Sequence, residues 1–201
     1  MNKVKVSDNK TTTKNALLEA GLRVMIEKGY SNTGIQEVLD ATNVPKGSFY
    51  YYFDSKEDFA LQIIEYFVAI GNQMMDKCFD NKKLTPIERL KLYCQEKKAM
   101  LANDNCRKGC LIGNLSQEMS DQSEALRARL EEALTNSRNR LARCIKEGQE
   151  KGEINSHMDH IQLAEFFQSG LHGAFMRAKT TKTISPLDAF FTIIFEQVFK
   201  P

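Results

Sequence analysis

The sequence predicts an all-α protein, and three observations carry that expectation. Long stretches are rich in Leu, Ala, Glu, Lys and Arg, with only four prolines and no tryptophan in 201 residues, a composition that favours helices over strands. Apolar residues recur at i, i+3 and i+4 and do not alternate. The breaks between periodic segments carry Gly, Pro or Asn at the positions where helices stop and start. At 22.9 kDa and 42% hydrophobic residues, the chain has ample material for one large core or two small ones.

The elements follow in order. A first helix from about Thr12 to Lys28 has the stripe Leu17, Leu18, Gly21, Leu22, Met25 and Ile26, and Gly29 stops it. Asn32 and Thr33 stand as caps before Ile35, Val38 and Leu39, the apolar face of a short helix that ends near Thr42. Asn43 and Val44 fill a turn. Pro45 then suits the first position of another helix, where its missing N–H would have no partner anyway. This helix is only about two turns long. Phe49 and Phe53 lie on its inner side, leaving Lys46, Ser48, Tyr50 and Tyr51 outward, and three consecutive tyrosines on so short a helix cannot all be buried.

Ser55 caps the next helix, with Asp58 closing a capping-box-like S-x-x-D, and Phe59, Ile63, Phe67 and Ile70 carry it toward Met74. Its apolar residues nearly surround it, so it is packed on two sides. Asn81 to Pro86 is a break. Ile87, Leu90, Tyr93 and Cys94 open a helix that runs to about Leu101, and Asn103 to Gly109 is a polar loop before the short helix of CLIGNLSQEMSDQ. From Ser123 a long amphipathic helix keeps Leu126, Leu130, Leu134, Leu141 and Ile145 in register, ending at Gly148 or Gly152, and its charged face is solvated.

The last two helices differ from the rest. One is capped by Asp159 with Gln162, the other starts at Ser185, Pro186 and Asp188, and each is apolar over more than one face. A surface helix needs one stripe, so something must cover the second. A homodimer interface through Phe166, Phe167, Gly170, Leu171, Phe190, Phe191 and Ile194 fits, with Gly170, Gly173 and Ala174 allowing close backbone approach, and the alternative is a deeply buried helix pair within one large core.

Two short helices joined by a tight turn, the second bearing cationic and hydroxyl side chains, is the geometry that enters a DNA major groove. Residues 1–56 are therefore expected to form a three-helix DNA-binding domain with its helix-turn-helix at about 33–53, and residues 57–201 a helical signal-receiving and dimerising domain. Lys46, Gly47, Ser48, Tyr50 and Tyr51 are the candidates for groove and phosphate contacts, with Thr33, Tyr52 and Lys56 on the DNA backbone. Lys3, Lys5, Lys10 and Lys14 form a basic arm ahead of them. The net charge of +2 says nothing by itself. The partner is double-stranded DNA, a palindromic operator if the protein is a two-fold dimer.

Other classes lack their marks. There is no glycine-rich phosphate loop and no nucleophile elbow. His157, His160 and His172 have no ligand set around them in sequence, so no catalytic residue, metal or cofactor is expected. A cysteine-dependent enzyme or a protein-binding helical module is the alternative outside the regulator class. No apolar run approaches the roughly 20 residues that span a bilayer, and MNKVKVSDNKTTTK has no signal-peptide core, so no membrane partner and a cytoplasmic location are expected.

Five cysteines in no framework-like spacing point to free thiols. Cys78, Cys94 and Cys144 fall on apolar faces. Cys106 and Cys110 lie in CRKGC, and Cys110 opens a helix with Arg107 and Lys108 nearby, two features that stabilise a thiolate. Cys110 is the candidate sensor and Cys106 a candidate resolving thiol.

VPKGSFYYYFDSKEDF resembles the recognition-helix signature of the TetR family of bacterial transcriptional repressors, over about residues 12 to 60. RKGCLIGNLSQEMSD is similar to the matching segment of the electrophile-responsive, N-ethylmaleimide-responsive branch of that family. The resemblance implies a dimeric repressor whose last two helices pair with those of a second subunit, and in which the cysteine after the glycine is the sensor. The inducer is then an unknown electrophile or other small molecule. An alternative is a non-covalent apolar ligand in a pocket of Phe67, Met74, Met100, Leu115, Met119, Phe167 and Phe175.

Overall fold

A computed structural model describes residues 4–201, with side chains from Thr11 onward, so Lys3, Lys5 and Lys10 of the basic arm lie outside the described side chains. The described residues form helices and no strands. These are α1 (Val4–Lys28), α2 (Ile35–Thr42), α3 (Lys46–Tyr52), α4 (Lys56–Phe79), α5 (Pro86–Ala102), α6 (Leu111–Met119), α7 (Glu124–Glu150), α8 (His160–Thr181) and α9 (Ser185–Ile193), the last continued by a π-helical turn over Ile194–Val198. No described helix is long and apolar enough to cross a membrane.

The chain divides into two compact units. The first holds the chain through Ala69 together with Leu111–Leu130, and the second holds Ile70–Cys110 and Glu131–Pro201. The domain expected to end at residue 56 thus takes in the first half of α4 and all of α6. Sequence order hides this, because α6 is recruited from the middle of the chain.

In the first unit, α1 and α4 meet at Gly21, where a Cβ would stand 2.3 Å from Phe59 Cζ. Phe59 in turn packs on Phe49 and Phe53, with ring centroids 5.1 and 4.6 Å away, and all three rings are buried. This cluster seats α3. Gly29 ends α1 at φ 81°, a left-handed conformation that favours glycine. The expected caps of α2 are corrected: Gly34 holds that position with no side-chain cap bond, while the Thr33 hydroxyl donates to the Gly29 carbonyl at 2.6 Å and the Asn32 amide to the Lys28 carbonyl. The α2–α3 turn uses Asn43 at φ 54°, and Pro45 is the N-cap of α3, one residue before its first helical position. Ser55 caps α4 as expected, accepting from the Asp58 amide at 3.0 Å.

In the second unit, α5 carries a capping box in which Thr85 and Glu88 satisfy each other's backbone N–H groups. The buried core runs from Cys78 and Leu90 through Leu141 and Ile145 to Phe167, Phe175 and Leu187. Arg89, 2% exposed, donates to the Phe79 and Leu84 carbonyls and forms a two-pronged pair with Glu147. It therefore terminates α4, fixes the 81–85 turn and ties both to α7. The expected interface set is corrected in part. Phe167, Leu171 and Ile194 are 0, 4 and 0% exposed and belong to the protomer's own core. Gly170 admits Phe190 of the same chain, whose Cε2 would lie 2.4 Å from an added Cβ. The apolar groups left outward are Ile161, Phe166 and Met176 on α8 and Ile193 on α9, between 46 and 54% exposed.

Candidate functional site

The first candidate surface is α3. Phe49 and Phe53 face inward, and Tyr50 and Tyr51 face solvent at 54 and 65% exposure. Lys46 and Gly47 are exposed, and Ser48 and Tyr52 are half-buried. A Cβ at Gly47 would meet nothing within 4 Å, so the outer surface of α3 is open there. Hydroxyls, an ammonium and a bare backbone on one open surface suit both phosphate oxygens and base edges. Thr33 does not join them. It is 2% exposed with its hydroxyl satisfied inside the fold, which corrects its assignment to the DNA backbone.

Lys56 is half-buried and serves the unit itself. Its Nζ donates to the Ser31 carbonyl at 3.2 Å and lies 4.7 Å from the Tyr30 ring centre. Burial lowers its pKa, with Glu118 opposing. Glu118, on α6, was not singled out by the sequence. Its carboxylate accepts from the Tyr30 and Ser31 amides at 2.8 Å each, holding the turn between α1 and α2. Burial raises its pKa, but the Ser31 and Tyr30 donors and Lys56 outweigh that and leave it below the ordinary carboxylate range. Nothing on α6 itself could have revealed this, since the partners lie far away in sequence.

The second candidate is a thiol in the other unit. All five cysteines are free, and Cys110 is the one that is not buried. Its Sγ lies 4.0 Å from Nε2 of His172 on α8. Tyr93 and Lys97 of α5 belong to the same unit. Lys97 is half-buried, with its Nζ 5.3 Å from the centre of the Tyr93 ring. Burial opposes the Lys97 ammonium, yet Tyr93 and Cys110 outweigh burial and hold its pKa above the ordinary value. The cations expected from the sequence are otherwise placed: Arg107 is exposed, and Lys108 pairs with Asp104 at 2.9 Å.

The other cysteines contrast. Burial raises the Cys78 and Cys94 thiols and pushes Cys144 up to about 12. Cys106, expected as a resolving thiol, is 3% exposed within the core, held by a left-handed turn at Asn105 and Cys106. Of the residues expected to line an apolar pocket, Leu115 and Met119 are buried in the first unit, and Phe167 and Phe175 in the second. A cavity of about 570 Å³ in the second unit is lined largely by charge, from Asp76, Asp80, Lys82, Arg140, Arg143 and Glu147.

A helix-turn-helix with an open tyrosine-rich second helix, in a chain with a separate helical unit that keeps one thiol from full burial, defines a DNA-binding regulator. The chain belongs to the TetR family. The model of bacterial regulatory proteins of the tetR family matches residues 17–63, and that of the tetracyclin repressor-like C-terminal domain matches residues 86–194. The chain is 40% identical to the transcriptional regulator AcuR of Cereibacter sphaeroides over 87% of its length and 80% of that protein. It is 34% identical to the transcriptional repressor DhaR of a Mycobacterium species, covering 93% of this chain and 92% of DhaR. The crystal structure of the reduced form of Escherichia coli NemR superposes with a TM-score of 0.87 at 26% identity, over 94% of this chain and 98% of that one. The protein is accordingly a DNA-binding transcriptional repressor and not an enzyme.

Proposed function

We propose that this repressor binds a palindromic operator as a homodimer through α3, and that modification of Cys110 releases it. The observation that carries the switch is that Cys110 alone among the five cysteines is not buried, with the His172 ring of α8 4.0 Å from its sulfur. A relative, NemR of Escherichia coli, is described in a reduced form. Family repressors act on DNA as dimers, and Ile161, Phe166, Met176 and Ile193 supply an uncovered apolar surface for a second copy.

The switch is a population shift. Modified Cys110 favours a state in which the two recognition helices no longer match successive major grooves. Cys110 immediately precedes α6, and α6 carries the Glu118 that holds the α1–α2 turn, so the chain itself runs from the thiol to the reader.

The test is an electrophoretic shift on an operator selected from random DNA. One equivalent of N-ethylmaleimide should release wild-type protein, with a single adduct at Cys110 by mass spectrometry, and Cys110→Ser should stay bound. Release of Cys110→Ser by the same dose would show that the signal enters elsewhere.

A further inference from the structure

We propose that the cleft between α7 and α8 binds a small neutral molecule carrying a primary carboxamide, close to Cys110 but independently of its chemistry.

Two buried atoms carry the argument. Gln168 of α8 lines the cleft and is 8% exposed, and its Nε2 donates to the Leu134 carbonyl of α7 at 3.2 Å. That bond fixes which way the side-chain amide points and leaves Oε1 as a buried acceptor that no described group meets. Arg138 lines the cleft from α7. Its Nη1 donates to Glu165 at 3.2 Å and its Nη2 to Asn139 at 3.3 Å, while its buried Nε–H finds no acceptor among the described residues. A buried polar atom without a partner costs free energy that a bound group recovers. One molecule that both donates and accepts satisfies the two.

Size and charge narrow the class. The cleft has a volume of about 160 Å³, several times one water's share of roughly 30 Å³ and below the roughly 300–1,000 Å³ of sites for drug-sized ligands. Its lining carries two carboxylates, Glu131 and Glu165, against the single guanidinium of Arg138. Glu165 already pairs with that guanidinium, and Glu131 accepts from the Thr135 hydroxyl. An incoming anion therefore meets the surplus carboxylate, and a cation leaves the Arg138 Nε–H without an acceptor. A neutral amide gives its N–H to Gln168 Oε1 and its carbonyl to Arg138 Nε–H. His172 also lines the cleft, and its Nε2 lies 4.0 Å from the Cys110 sulfur, so an occupant stands one ring away from the thiol.

The test is solution NMR on the full-length protein, with propionamide, propionate and propan-1-ol as probes. The chain has three histidines, and His172→Gln identifies the ring signal of His172. Propionamide should move that signal saturably, with a midpoint in the millimolar range, and leave His157 and His160 in place. Propionate should bind about tenfold more weakly because of the surplus carboxylate. Propan-1-ol should also bind more weakly, since one oxygen must then serve both partners. Gln168→Met, which removes the acceptor at similar volume, should weaken propionamide about tenfold.

A shift that never saturates, or that moves all three histidines alike, overturns the proposal. So does propionate or propan-1-ol binding as tightly as propionamide. A cleft filled by ordered water, or by a side chain of a second copy, gives the first of these outcomes. The probe comparison needs only wild-type protein, so it decides the matter even if Gln168→Met fails to fold. Cys110→Ser should bind propionamide as wild type does, so failure of the thiol switch and failure of this site are read separately.

Discussion

Glu147, half-buried beside the buried Arg89, shows how much one ion pair controls at the scale of a residue. Its hydrogen bonds with Arg89, then with Lys151, hold its carboxyl at about 2. Because the folded value lies below the ordinary carboxylate range, the stabilisation is complete at neutral pH. It fades as pH falls from about 5 toward the folded value, where the folded state also takes up the proton. Allowing for partial exposure of the carboxylate, the pair contributes on the order of 2 kcal/mol at pH 7. Glu147→Gln should therefore unfold at lower urea concentration than wild type at pH 7, and the difference should shrink steadily between pH 5 and pH 3. A gap that is constant over this range would mean that the loss is one of packing and not of charge. Gly21 is the converse case, a residue defined by what is absent. The sequence placed it on the core stripe of α1, but only the structure shows that Phe59 fills the space of its missing side chain.

At the scale of an element, α3 separates the work of reading from that of holding on. Its core side is occupied by Phe49, so the hydroxyls of Tyr50 and Tyr51 and the ammonium of Lys46 share the free surface. Lys46→Ala should weaken binding to all sequences alike and flatten the salt dependence by about one counterion. Tyr50→Ala or Tyr51→Ala should instead abolish the preference for operator over random duplex while leaving salt-dependent binding in place. Fluorescence anisotropy over a salt series measures both, and variants that keep wild-type discrimination would place the reader on another helix. This element was legible in the sequence because its signals are local: a proline at its start, two inward phenylalanines four apart, and three tyrosines in a row. Glu118 was not legible, since its partners Tyr30 and Ser31 meet it only after α6 packs against α1.

At the scale of the whole molecule, the second apolar face of the final helices divides into two jobs. Phe167 and Ile194 close the protomer's own core, and Phe166 and Ile193 remain outside it. Phe166→Glu and Ile193→Glu should leave the helical content and melting transition intact, yet give a monomer by light scattering and lose operator binding. Phe167→Glu should instead unfold the protein. A Phe166→Glu, Ile193→Glu double variant that stays dimeric at micromolar concentration would move the interface to another surface.

The sequence by itself determined the helical class, the helix order and the short tyrosine-rich helix after Pro45, because each of these is written in residues close together along the chain: periodicity, caps and a turn. Only the tertiary structure decided which apolar face of α8 is core and which is free, that Thr33 turns inward, that α6 clusters with the first three helices, and that His172 of α8 lies against the Cys110 sulfur. The physical reason is the same in each case. A helical pattern fixes which residues share a face, but the partner of that face is chosen by packing between segments distant in sequence, and a contact such as that of Cys110 with His172 exists only once α8 and the loop before α6 have been brought together.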